Sequence, residues 1–188
     1  MARTKGFDPD AAVTAAMELF WANGYAGTTP RQLVDALGIG RGSLYNAFES
    51  KHALFERALR RYYEVNTARL FEVLAGPGSA VARLRAALDL VVESARTEAR
   101  GCLITNTATE VGDESVAAFV RRVFDEQEAA FAAVVAEGVE RGEIAGDRDP
   151  AATAAFLLAT INGIRVLAKA DPTSPRLTTL AETALRAI

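Results

Sequence analysis

T-P-R-Q-L-V-D-A-L-G-I-G-R-G-S-L-Y-N-A-F-E-S-K, residues Thr29 to Lys51, reads as two short helices joined at a glycine. Leu33 and Leu37 stand four apart on the first helix, Ile39 occupies the turn, and Leu44 and Phe48 stand four apart on the second. Residues at this spacing share a helix face, so these five can seal a small core. Gly38 supplies the backbone freedom that a tight turn between steeply crossed helices needs. On the opposite side Arg41, Gly42, Ser43, Tyr45 and Asn46 are polar or small and fall within the first two turns of the second helix. A helix of this kind can present its N-terminal end to a DNA major groove. The bare spacing also fits any short helical hairpin with a solvated polar face.

Outward from this segment the punctuation is helical throughout. Asp8-Pro9 supplies a capping acceptor and a first-turn proline, and Asn23-Gly24 closes the same helix, with Val13, Ala16, Met17 and Phe20 on one face. Thr29-Pro30 repeats the opening device. Ser50 caps a longer helix carrying Leu54, Phe55, Leu59, Tyr62 and Leu70, which runs to Ala75 and stops at Gly76-Pro77-Gly78. Beyond it, helix faces are marked by Leu84, Leu88, Val91 and Ala95, and then by Val120, Val123, Phe124, Phe131, Val134 and Val135. Another helix is expected between Gly101 and Gly112. Asp149-Pro150 and Pro175 open the last two. The expected fold is all-α: a three-helix helix-turn-helix domain over residues 1–50 and a helical domain over 51–188, with helix 51–75 connecting them.

Half of the 188 residues are hydrophobic, enough for a sizeable core without disulfides or metal. The single cysteine, Cys102, excludes an intrachain disulfide framework and points to a reducing cytoplasm. No secretory signal or uninterrupted apolar span of about 18 residues is visible, so no membrane association is expected. The net charge of −3 is unevenly spread: residues 1–62 hold eight basic and six acidic side chains, and the remainder is net −5. That asymmetry permits DNA binding without requiring it. No metal-ligand cluster, phosphate-binding glycine loop or Ser/His/Asp set is present, so neither a cofactor nor an enzymatic activity is expected. A helical interaction protein without DNA binding is the remaining alternative.

Residues 7–55 resemble the N-terminal domain of the tetracycline-repressor (TetR) family of bacterial regulators. The resemblance rests on A-M-E-L-F-W-A-N-G-Y-A-G-T-T at Ala16–Thr29, L-G-I-G-R-G-S-L-Y-N-A-F at Leu37–Phe48 and S-K-H-A-L-F at Ser50–Phe55. It implies a ligand-responsive transcription regulator, a repressor that binds a palindromic operator as a homodimer and is released by a small-molecule inducer. It places Arg41, Gly42, Ser43, Tyr45 and Asn46 on the recognition helix, with Arg41 and Asn46 suited to base edges. Thr28, Thr29, Arg31 and Lys51 join Tyr45 as expected contacts to DNA, Thr29 and Lys51 because they stand at helix N-termini. Arg3 and Lys5 form either a basic arm or a solvated tail. Two positions depart from the family pattern: Gly40, where a capping hydroxyl is common, and His52, where an acidic residue usually completes a capping box with Ser50. His52, the only histidine, is expected at the surface near phosphate.

The second half carries one family-like motif, G-C-L-I-T-N-T-A-T-E at Gly101–Glu110. Tyr63, Asn66, Phe71, Cys102, Thr105, Asn106, Thr109, Phe119 and Phe124 mix apolar walls with polar anchors, as small-molecule sites do, although ordinary core and helix caps fit the same residues. Cys102 near a helix start suits either a reactive thiolate or a small buried hydrophobe. A two-fold interface is expected on the last two helices, through Ala155, Ala159, Ile161, Gly163, Leu167, Leu177, Leu180 and Leu185.

Overall fold

The computed structural model describes residues 8–188, so Arg3 and Lys5 lie outside the described residues. Ten helices follow one another: α1 Pro9–Gly27, α2 Pro30–Leu37, α3 Arg41–Phe48, α4 Lys51–Asn66, α5 Ala68–Leu74, α6 Ala80–Thr97, α7 Leu103–Glu110, α8 Glu114–Glu140, α9 Pro150–Ala170 and α10 Arg176–Arg186. No strand occurs among the described residues.

The helix starts are built by the expected residues. Asp8, Ser50, Ser79, Asp113 and Asp149 each accept backbone N–H bonds from the first turn of the helix that follows. Thr29 forms a reciprocal box on α2: its hydroxyl accepts from Gln32 N, and its own N–H donates to Gln32 Oε1 at 2.7 Å. His52 closes no capping box, and the first-turn N–H that Ser50 Oγ accepts is that of Ala53. Gly24 has φ +73°, ending the regular part of α1 as its sequence implied.

One expected element is divided. The helix from Ser50 to Ala75 is split at Thr67 into α4 and α5. Thr67 N–H still reaches Tyr63 O four residues back, but Leu70 N–H bonds Thr67 O only three back, so the ladder tightens and restarts. Asn66 and Thr67 are both weak helix formers, and Thr67 is buried at this joint.

Two apolar cores result. One joins α1 to α4, through Phe20, Leu33, Leu44, Phe48, Leu54, Phe55 and Leu59, to Leu103 and Ile104 of α7 and to Val116, Val120 and Val123 of α8. The other packs Leu70, Leu84, Leu88, Phe131, Val135, Leu157, Ile161, Ile164 and Leu177 from α5, α6, α8, α9 and α10. The 27-residue α8, about 40 Å long, contributes to both and acts as a common spine. The core of the helix-turn-helix therefore continues past residue 50 into α4, α7 and α8. Helix α9 is long and apolar enough to cross a membrane by length and composition. In the fold it packs against α6, α8 and α10.

Candidate nucleic-acid interface and the neighbouring cavity

The turn from α2 to α3 has the predicted anatomy. Gly38 adopts φ +63°, and Leu33, Leu44 and Phe48 are buried beneath it, with Leu37 and Ile39 half-buried against the same core. With that face sealed, Arg31, Arg41, Gly42, Ser43 and Asn46 are exposed and Tyr45 is half-buried. Arg41 lies 5.8 Å over the Tyr45 ring, and Arg31 pairs loosely with Asp35 at 3.9 Å. Gly40 caps α3 without a side-chain hydrogen bond, which leaves the first N–H groups of α3 unsatisfied by any cap.

Three residues expected at the DNA face turn elsewhere. Thr28 is 0 % exposed, and its hydroxyl donates to Gly24 O at 2.7 Å, so it completes the turn after α1 and does not reach phosphate. Lys51 is half-buried with Nζ 4.2 Å from the Tyr25 ring centre. Burial lowers its pKa and the nearby Glu110 carboxylate opposes that shift. His52 Nε2 faces Asp113 at 3.5 Å, Ser115 Oγ at 3.4 Å and Glu56 at 3.9 Å, with its ring edge-on to Tyr25. It belongs to a junction with α8 and not to a phosphate site.

That junction ties the helix-turn-helix to the second half of the chain. Glu110, at the end of α7, accepts the Ala26 N–H at 2.7 Å, and its carboxyl lies against Gly24, where an added Cβ would sit 2.7 Å from Oε2. Just ahead of the other end of the same helix, Trp21 Nε1 donates to Gly101 O at 2.9 Å. Arg100 stacks 3.8 Å over Trp21 and pairs with both Glu18 and Glu98 at 2.6 Å, which holds the Glu98 carboxyl below the usual range. Replacing Glu110 by alanine leaves Ala26 N–H without its charged acceptor. Because water can compete at this exposed site, the loss is about 1 kcal/mol, or roughly 2–4 °C in Tm for a chain of this size. Thermal denaturation should show it; a drop below 1 °C would deny the carboxylate any part in the junction.

Between α1, α4, α6, α9 and the loop leading into α7 lies a cavity of about 380 Å³. Trp21, Tyr62, Asn66, Ser94, Ala95, Thr97, Glu98, Gly101, Cys102 and Arg165 line it. Asn66 and Cys102 are the two expected ligand residues found there. The others are occupied elsewhere. Tyr63 donates its phenol hydrogen to Glu126 and meets the Phe119 edge, and burial pushes its pKa up to about 12. Phe119 lies under Arg122, Phe124 packs on the first core, and Phe71 is a half-buried residue of α5. Thr105 donates to Asn162, Thr109 donates to the backbone of Asn106, and Asn106 bridges Arg100 O and Lys169 Nζ. Cys102 is buried. Burial raises its thiol pKa, but the Arg165 charge and hydrogen bonds from Thr105 and Tyr62 more than offset this and leave it lowered.

The helix-turn-helix, its exposed recognition face and the helical half behind it coincide with two family models. "Bacterial regulatory proteins, tetR family" matches residues 12–58, and "Tetracyclin repressor-like, C-terminal domain" matches residues 80–185. The chain belongs to the TetR family. Among relatives of this TetR regulator, the HTH-type transcriptional repressor ComR of Escherichia coli (strain K12) is 33 % identical over 190 residues, covering 98 % of this chain and 90 % of ComR. The uncharacterised HTH-type transcriptional regulator YezE of Bacillus subtilis (strain 168) is 32 % identical over 182 residues, 94 % of each chain. A cysteine mutant of the TetR family regulator CifR, solved with a 26bp double-strand operator DNA, superposes with a TM-score of 0.87 at 32 % identity over 99 % of both chains. The chain is thus a DNA-binding transcription regulator of the repressor type.

The expected two-fold face needs two corrections. Ile161 and Leu177 are both 0 % exposed and belong to the second core, so they are not available to a second copy. Ala155 and Ala159 are exposed, and Gly163, Leu167, Leu180 and Leu185 are half-buried. Phe156 and Val166 of α9, not anticipated, are 45 % and 51 % exposed and extend the apolar face outward.

Proposed function

We propose that this TetR regulator works as a homodimer joined through the outer faces of α9 and α10. Each copy lays α3 in one of two major-groove half-sites roughly 34–36 Å apart. Arg41, Ser43 and Asn46 face base edges. Tyr45, Thr29, Arg31 and the N-terminal N–H groups of α4 at Lys51 face phosphates. The protein acts on DNA in the cytoplasm, and its role is regulation, not catalysis.

The inducer binds in the cavity that Trp21 and Tyr62 share with Gly101. The observation that carries this reading is the double attachment of α7. One end contributes the cavity wall and is approached by Trp21, and the other holds the Gly24 turn through Glu110. An eight-residue helix is about 12 Å long, so a ligand that displaces its first turn also displaces the turn preceding α2. The ligand acts only through unequal affinity for the two arrangements.

Fluorescence anisotropy with a labelled duplex from the DNA upstream of the chain's own gene tests the reading. Binding should be specific and released by a cavity ligand. Retention of every unrelated duplex with equal affinity would defeat it. Phe156→Glu sets two unpaired charges against each other at the proposed interface, at a cost of about 3–5 kcal/mol. Gel filtration should then give a monomer, with operator affinity down at least 100-fold. A dimer of unchanged affinity would move the interface away from α9.

A further inference from the structure

Resting on the cavity being the inducer site, we infer that the inducer is a small organic acid whose single carboxylate is held by Arg165. Arg165 and Lys169 are the cationic residues of α9, and Lys169 is engaged with Asn106. Arg165 lines the cavity and makes no ion pair or hydrogen bond among the described residues. The polar groups around it are largely spoken for. Trp21 Nε1 serves Gly101 O, Ser94 and Thr97 hydroxyls bond back to their own helix, and Asn66 Nδ2 donates to Tyr62 O.

The charge balance selects a monoanion. Glu98, the acidic residue of the wall, shares Arg100 with Glu18, so that cluster stays net negative and offers no free cation to a second acidic group. Arg165 is the one cation of the lining, its charge acts there on the Cys102 thiol and the Tyr62 hydroxyl and meets no carboxylate, and its planar fork pairs with a carboxylate through two parallel N–H···O bonds. A dianion such as a phosphate monoester would bring a second charge toward Glu98 with no cation to meet it. The edge-to-face pair of Trp21 and Tyr62, with ring centres 4.9 Å apart, and Ala95 offer apolar surface to the rest of the molecule. A volume of about 380 Å³ admits a body of the size of benzoate or hexanoate.

Trp21 is the only tryptophan, so its fluorescence reports the cavity directly. The probes are benzoate and hexanoate, each against its uncharged isostere benzamide or hexanamide. Titration of the full chain should show saturable changes with the acids at affinities at least 10-fold above the amides. R165Q should weaken acid binding by about 10- to 100-fold, and R165K should restore part of it. Amides binding as well as acids, acids leaving Trp21 unchanged, or R165Q responding like the parent would each overturn the assignment. Should R165Q not fold, the acid-to-amide ratio in the parent chain and R165K still decide. Operator anisotropy with the same compounds separates the two readings. Acids that bind at Trp21 without releasing operator would sink the inducer reading and leave the carboxylate site standing. Amides that release operator as well as acids would do the reverse.

Discussion

Replacing Phe55 by alanine should destabilise the chain by about 3–5 kcal/mol, a large share of the roughly 5–15 kcal/mol that holds a domain folded. Phe55 is almost wholly buried and meets Phe20 edge-on at 4.9 Å and Tyr25 at 4.8 Å. Its core also contains Leu33 and Phe48 of the helix-turn-helix, and Val116 and Val120 of α8. The void would therefore lie where the DNA-reading helices rest on the spine of the second half. The ring's neighbours come from several rigid helices and cannot collapse onto the space without moving one of them. Urea denaturation followed by circular dichroism would measure the loss. Val65→Ala, at a site 57 % exposed, serves as the comparison and should change stability by no more than about 0.5 kcal/mol. A shift below 1 kcal/mol for Phe55→Ala would show that the junction relaxes freely, against the tight coupling inferred for it.

Arg41→Ala should remove operator recognition while leaving the fold intact. A well-placed guanidinium on a base edge is worth about 1–3 kcal/mol of discrimination. A dimer makes the contact twice, so the specific affinity should fall by roughly 2–6 kcal/mol, about 30-fold to more than 10⁴-fold. Arg41 is exposed and touches only the Tyr45 ring among the contacts described above, so thermal stability should hold within about 0.5 kcal/mol. Binding to operator and to a scrambled duplex at two salt concentrations distinguishes the possible contacts. Loss confined to operator places Arg41 on a base. Equal loss on both duplexes, with a shallower salt dependence, places it on phosphate.

Helix limits were legible in the sequence because chain-local chemistry sets them. Asp8-Pro9, Thr29-Pro30 and Asp149-Pro150 cap within three residues, and Gly38 needs only its own positive φ. The exposed face of α3 was legible for the same reason, since one short helix alternates sealed and free sides. The cavity was not, because its walls meet from four helices far apart in the chain and the loop that leads into α7. Asn66 and Cys102 were the residues read correctly, and Arg165, a charge set into a mostly apolar helix, was a signal left unused. Thr28 misled because a threonine before a helix suggests a phosphate contact, whereas the carbonyl freed at Gly24 takes its hydroxyl first. Ile161 stands two residues from Ala159, about 200° around the helix, and so points into the core when the alanine strip points out. Glu110 was marked only as the last residue of the Gly101–Glu110 motif; its importance depends on where Ala26 lies in space.

The brevity of α3 has a consequence for how the protein meets DNA. Eight residues without a side-chain cap, preceded by Gly40 and followed by Glu49 at φ +62°, fall well below the length at which an isolated helix persists in water. Its order is borrowed from Leu44 and Phe48 pressing on α2 and α4. A helix that depends on one sealed face in this way opens locally at less cost than the long helices of the second half. A duplex seated against its exposed face would supply the lateral support that the protein itself provides only on the other.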